Sequence, residues 1–259
     1  MECFNLLGTC ILQVPRILFL IYNKTMKYLE FFVSSQKEKD ILVEMFQADK
    51  TATLEHRIMQ YNFPAELAKR INGLPAEDWD SDLDNLLNKT YKKNLKELEE
   101  ALEFFNLYWE NNEEYFFDRL KNIFKKEVDK YSVLLSNYVS GTSDWIGTNI
   151  CTNAYSYRDE NENYHTYFLL FEIILSETFK IIRKDNTEQY ISDHKVWIIS
   201  ELTSFTILHE EWNVFNDVIT KTYYDQVDKF IPEAKEIYKE SGNIYVFFEK
   251  FIKLLINSE

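Results

Sequence analysis

Glycine and proline are scarce, at 5 and 4 in 259 residues. A chain so poor in turn formers does not read as a sandwich or barrel of many short hairpins, and long helices with few tight turns suit it better. Cysteine is scarce too. Cys3, Cys10 and Cys151 make neither a disulfide framework nor a paired metal knuckle, so a reducing, cytoplasmic setting is the expectation. Four histidines, His56, His165, His194 and His209, leave a short list for metal or acid–base chemistry. Positive charge is in deficit, with 29 basic against 43 acidic side chains and a net charge of −14. That balance argues against binding nucleic-acid backbones or anionic membrane surfaces. It suits a basic protein or peptide partner, or solubility alone for an aromatic-rich chain. The uninterrupted apolar piece near the start, Ile17 to Tyr22, is far too short to span a bilayer. No complete catalytic, cofactor or nucleic-acid motif occurs, and no cofactor is expected.

What is present is a globular composition: 46% apolar and 28% charged residues, with 20 Phe, 17 Tyr and 5 Trp. The pattern of elements implies an α+β, predominantly helical fold, in which a small β-sheet accompanies a packed helical C-terminal half. Residues 1–259 read as a single domain, with a possible division into 26–130 and 131–259. Residues 1–25 have two readings. Met26 can be a second start codon, or Arg16 to Tyr22 can be a strand that turns at Asn23-Lys24 to pair with Lys27–Ser34.

Tyr28–Val33 is strand-like, and a helix is predicted from Ser35 to about Lys50, with Ile41, Met45 and Phe46 on one face. Residues 51–90 read as short helices punctuated by Pro64, Gly73 and Pro75, with Glu77–Asp82 an acidic connector. Leu95, Leu98, Leu102, Phe105 and Trp109 recur at helical spacing. Phe116, Leu120, Phe124 and Val128 do so again beyond Asn111-Asn112. The two runs predict an antiparallel helical hairpin with a polar hinge at the asparagines. Tyr131–Val139 and Asn149–Tyr157 are strand candidates on either side of a loop, Gly141–Gly147. Helices are then predicted over His165–Arg183 and Ser192–Trp212, with Ser192 or Asp193 as N-cap of the second. Two or three more follow, broken near Pro232 and at Ser241-Gly242.

Two acids in this half stand in apolar company. Glu172 lies within Tyr167–Leu175, otherwise apolar on every side of a helix. Glu201 has Trp197 one turn before it and Phe205 one turn after. Both are therefore expected to face inward, on consecutive helices, where they can meet. Such a pair can bind metal with histidine help, share a proton or split acid and base duties, or bond to backbone and Tyr hydroxyls as structural acids.

Strand, loop, strand, a helix with an inward Glu and a second helix with another resembles the zincin metallopeptidases, in particular their glutamate-ligand branch. There His-Glu-x-x-His supplies two zinc ligands and a water-activating Glu, and a Glu on the next helix completes the ligand set. The matching pentapeptide is Phe171-Glu172-Ile173-Ile174-Leu175. It retains the Glu and replaces both histidines by apolar residues. The resemblance makes Glu172 a vestigial catalytic residue and places Glu201 at the third-ligand position. His194 and His209 are secondary metal candidates. Asn149–Tyr157 corresponds to the edge strand that lies along substrate, so Asn149 and Tyr155 become binding candidates. The implied protein is a degenerate, non-hydrolytic relative that binds an unidentified protein or peptide, with zinc only if the missing histidines mislead.

Other constellations carry less. His209-Glu210-Glu211-Trp212-Asn213 opens like the zinc motif and closes on Asn. Cys151 with His165 or His194 is a nominal thiol dyad, more simply read as a buried Cys. Gly141–Asp144 has too few glycines for a phosphate loop. Trp145, between Gly141 and Gly147, is a candidate contact residue. The competing functional reading is an acidic, mainly helical interaction module with no enzymatic ancestry. A carboxylate pair acting on a glycoside needs an open groove between the acids.

Overall fold

A computed structural model describes residues 3–6, 9–14, 17–22, 26–48, 80–139, 141–144, 146–158, 163–185, 191–222 and 224–257. It is α+β and predominantly helical, as the composition implied. The chain forms two compact units: residues 1–113, 132–142 and 149–158 make one, and residues 114–131, 143–148 and 159–259 the other. No helix among the described residues is long and apolar enough to cross a membrane.

The first unit is organised on a mixed sheet, of which the strand ends Tyr131 and Ser143 belong to the second unit. Its strands are β1 (Cys3–Leu6), β2 (Thr9–Val14), β3 (Ile17–Tyr22), β4 (Leu29–Ser34), β5 (Tyr131–Ser136), β6 (Gly141–Ser143) and β7 (Asn149–Asn153). They lie in the order β1-β2-β3-β4-β5-β7-β6. The first four form an antiparallel meander, with Phe19 opposite Ser34 and Ile21 opposite Phe32. β5 and β7 are parallel, from Ser132 opposite Asn149 to Ser136 opposite Asn153.

β4 alternates as a half-buried strand should: Leu29, Phe31 and Val33 are buried and Glu30 is exposed. Phe31 stacks on Phe105 at 5.4 Å. Phe105 belongs to α2 (Asp80–Phe124), whose buried stripe in this unit is Leu83, Leu87, Tyr91, Leu98, Leu102, Phe105 and Trp109. Each such side chain contributes ~1.5–3 kcal/mol on burial. α1 (Ser35–Ala48) follows β4 directly, and turns Glu38, Lys39 and Leu42 inward.

Helix α2 corrects the predicted hairpin. It is one helix of 45 residues, unbroken at Asn111-Asn112. Instead of opening a turn, the asparagines bond back along the helix. Asn111 Nδ2 donates to Leu107 O and Asn112 Nδ2 to Tyr108 O, both at 2.7 Å. Asn costs under ~1 kcal/mol in a helix interior, and the inward side chains Trp109, Glu113, Phe116, Phe117 and Leu120 outweigh it. Of the predicted acidic connector, Asp80–Asp82 belong to this helix. Residues 51–79 lie outside the described part, as does Trp145.

The second strand candidate is also shorter and differently placed than expected. β7 ends at Asn153, because Asn153 Oδ1 accepts the Tyr155 amide and Ser156 Oγ donates to Asn153 O, turning the chain into a short 3₁₀ segment, Ser156–Arg158. β7 lies between β5 and β6, so the sheet edge is β6, not the Asn149–Tyr157 segment. Gly141–Ser143, expected as loop, supplies that edge.

The second unit is helical. α3 (Tyr164–Asp185) and α4 (Asp193–Glu211) pack along each other; α5 (Asp225–Asp228), α6 (Ile231–Ser241) and α7 (Ile244–Asn257) complete it. α4 is the central rod: every residue from Ile199 to His209 is buried. The hydroxyls of Ser200, Thr203 and Ser204 donate to carbonyls one turn back, which lets small polar residues sit inside. Ser192 caps α4, its Oγ accepting the Lys195 amide. Pro232 opens α6, and Gly242, in the left-handed region at φ 68°, closes it.

Candidate functional site

Five glutamates are buried among the described residues: Glu38, Glu113, Glu172, Glu177 and Glu201. Three are satisfied by what surrounds them. Glu38 accepts the Tyr91 hydroxyl at 2.5 Å, the Tyr138 amide at 2.8 Å and the Ser136 hydroxyl. Glu113 accepts three successive backbone amides, from Lys27, Tyr28 and Leu29, at 2.7–3.0 Å, and so anchors the start of β4. Glu177 accepts the Tyr131 hydroxyl at 2.6 Å and pairs with Lys126 at 2.6 Å and Lys180 at 3.5 Å. These are structural acids with their lone pairs engaged.

Glu172 and Glu201 differ. They are 8% and 7% exposed, one on α3 and one on α4, and neither forms an ion pair with a cation among the described residues. The charge of Glu172 reaches Glu201. Burial pushes Glu172 up to about 7, against the opposing influence of the nearby Ser143 hydroxyl. Burial pushes Glu201 up to about 8, the charge of Glu172 adding to it and the Trp197 indole opposing. Two like charges in a dry site do not both ionise readily, so near neutrality the pair retains a proton. The inward faces that the apolar runs predicted are thus the observed ones, and the charge of Glu172 reaches Glu201.

The rim on the Glu172 side is a tight turn. Asp144 O accepts the Gly147 amide at 3.0 Å and Asp144 Oδ1 the Ile146 amide at 3.3 Å. A Cβ at Gly147 would meet the carboxylate of the exposed Asp144, which would have to swing aside. Ser176, one turn after Glu172, donates to Gly147 O at 3.2 Å and ties the turn to α3. Ser143, the last residue of edge strand β6, approaches Glu172 without a well-aligned hydrogen bond. On the α4 side, Trp197 stacks on His194 (5.4 Å) and meets Tyr224 edge-on (4.8 Å).

The donor set does not fit zinc. Phe171 and Leu175 stand where imidazoles would be needed, and among the described residues no three His, Cys, Asp or Glu side chains form a metal-binding group. Neither secondary histidine joins the pair. His194 is exposed beside Trp197. Both ring nitrogens of His209 lie 2.7 Å from carbonyl oxygens, of Phe205 and Ile219, which pins residues 213–219 to α4. Burial holds His209 below its ordinary range.

The binding candidates of the first unit separate. Asn149 is exposed at the start of β7, whereas Tyr155 lines a polar cavity with Asn94 and Asn137. Compared with known proteins, the chain matches no family model, no curated protein and no solved structure.

Sequence reasoning missed Glu38, Glu113 and Glu177. For Glu177 a local signal existed: it follows the same apolar run and has Lys180 three residues on. Glu38 and Glu113 give none, because the partners of Glu38 are 53 to 100 residues away in the chain and those of Glu113 are 84 to 86.

Proposed function

We propose that the chain is a non-hydrolytic relative of the glutamate-ligand zincins, in which the helix pair persists as a protonated carboxyl clasp within a protein- or peptide-binding molecule. One observation carries this reading: Glu172 and Glu201 are both buried, on consecutive packed helices, close enough for the charge of one to act on the other, and neither forms an ion pair among the described residues. The edge strand moves in consequence. The substrate-side strand of the zincin arrangement corresponds to β6, whose Ser143 approaches Glu172, rather than to β7.

The competing reading, an acidic interaction module without enzymatic ancestry, requires Glu172 to be satisfied by Tyr hydroxyls or backbone groups. Such partners surround Glu38, Glu113 and Glu177 instead.

Restoring the missing ligands tests the kinship. The double variant Phe171→His/Leu175→His places two imidazoles one helical turn apart on α3. If the scaffold is zincin-like, it gains stoichiometric zinc and a zinc-dependent rise in melting temperature that Glu201→Gln weakens. A double variant that folds and takes up no zinc overturns the kinship. The non-hydrolytic part is tested on the natural sequence by elemental analysis and a peptide-hydrolysis assay. Stoichiometric zinc, or hydrolysis abolished by Glu172→Gln, overturns it.

A further inference from the structure

The polar cavity of the first unit lies outside the carboxyl pair and has its own logic. It measures about 480 Å³ and is lined by Thr90, Lys93, Asn94, Asn137, Tyr138, Asn153 and Tyr155, a volume ordinary for small-molecule sites. Its position follows from the topology. β5 ends at Ser136 and the parallel β7 at Asn153, so Asn137, Tyr138, Asn153 and Tyr155 all come from the carboxyl ends of two parallel strands. Ligands of open sheets bind at such ends. Thr90, Lys93 and Asn94 complete the wall from one face of α2, at i, i+3 and i+4.

The wall is preorganised. Asn94 Nδ2 donates to Asn137 Oδ1 (3.1 Å) and to the Tyr155 hydroxyl (3.0 Å), which itself donates to Asn137 Oδ1 (2.7 Å). The hydroxyls of Thr90 and Tyr138 bond at 2.6 Å. Behind them, Glu38 holds the Ser136–Tyr138 segment through the Ser136 hydroxyl and the Tyr138 amide. Rotamers locked by such supporting bonds hold a recognition site in register.

Its chemistry is amide, hydroxyl and cation. No carboxylate lines it. The nearest acids are engaged elsewhere: Glu38 by the bonds just described, and Glu97 by Arg158 at 3.3 Å. Lys93 is exposed and forms no ion pair among the described residues, and Lys89 and Lys92 are likewise unpaired and solvent-facing on the adjoining turn. In a chain of net charge −14, this mouth is locally basic. Tyr138 and Tyr155 add ring surface against which C–H groups pack.

We propose that this cavity binds a small hydroxylated anion of the sugar-acid class, its carboxylate on Lys93 and its hydroxyls on Asn94, Tyr155 and the Thr90–Tyr138 pair. Calorimetric titration of the full chain with D-glucuronate, D-glucose and inorganic phosphate tests it. Glucuronate binds, glucose binds about tenfold more weakly for want of the charge-assisted contact, and phosphate binds no better than glucose. Lys93→Met, at an exposed position, lowers glucuronate affinity to the glucose level, and Tyr155→Phe weakens both sugars. Absence of glucuronate binding, or binding that Lys93→Met leaves unchanged, overturns the site. Phosphate binding as tightly as glucuronate overturns the hydroxyl contacts and leaves a bare anion site.

Discussion

Replacing Glu172 by Gln should make the protein more stable in alkali than the natural sequence, and the margin can be worked from the site. In the unfolded chain Glu172 loses its proton near 4.5, and in the folded protein near 7. Between those values the folded state holds a proton the unfolded state has released. Stability from this group is therefore complete below about 4.5 and lost as pH rises through about 7. At 1.36 kcal/mol per pKa unit the loss is ~3 kcal/mol, before any relaxation that lets water reach the site. Glu201 extends the decline to about 8. Glutamine keeps the shape and one hydrogen-bonding oxygen but cannot ionise. Glu172→Gln should thus track the natural protein at pH 5 and exceed it by ~2–3 kcal/mol at pH 9. In a chain of this size that is about 4–12 °C in melting temperature. It also removes the charge that raises Glu201, so the remaining decline should move to lower pH. Urea denaturation at pH 5, 6, 7, 8 and 9, run side by side on both proteins, reads the difference directly. The background set by 43 acidic side chains largely cancels between them. Parallel stability curves across that range would refute the reasoning, since they would mean that the Glu172 carboxyl ionises in the fold as it does in water.

Glu177→Ala should cost ~1–3 kcal/mol at neutral pH in the same assay, because it removes the partner of Lys126 and of the buried Tyr131 hydroxyl, while Lys180 keeps Asp129 at 2.9 Å. A loss under ~1 kcal/mol would mean that the ammonium groups relax to solvent. Asn111→Ala, on the exposed face of α2, should stabilise by a few tenths to ~0.7 kcal/mol if the helix is continuous there. Proteolytic nicking near residue 111, or destabilisation by the alanine, would instead favour the hinge. The zinc-restoring double variant and the sugar-acid titration complete the set.

Much of the carboxyl pair was legible because its signal is local. An acid inside Tyr167–Leu175, and another a turn from both Trp197 and Phe205, can be placed on a helix face by counting residues. The helix boundaries of the C-terminal half were legible for the same reason, since Ser192, Pro232 and Gly242 act on the backbone within one turn. The failures share a different cause. Asn111-Asn112 reads as a break if local preference decides, and as helix once the buried stripe from Trp109 to Leu120 is counted. The place of β7 beside β5, with β6 outside it, is a strand order. A pattern that records only which face of a strand is apolar does not encode order.

The same division explains why the acids held by distant partners escaped notice and those buried by their own helices did not. A glutamate that will be held by distant partners needs no unusual neighbours in sequence. Glu38 stands beside lysines and an aspartate, Glu113 beside another glutamate, and both look solvated until the fold brings Ser136 or the Lys27–Leu29 amides to them. Glu172 and Glu201 look misplaced in sequence because their own helices bury them, and no cation among the described residues pairs with them. Burial by its own element with no charge partner is costly in any packing of these helices. An acid in that position is therefore a better pointer to a functional remnant than burial alone. The discriminating measurement is the stability of Glu38→Gln beside that of Glu172→Gln at pH 5. There the first substitution weakens a carboxyl bonded to Tyr91, Ser136 and the Tyr138 amide and should destabilise, and the second should not; in alkali the comparison blurs, because burial raises Glu38 as well.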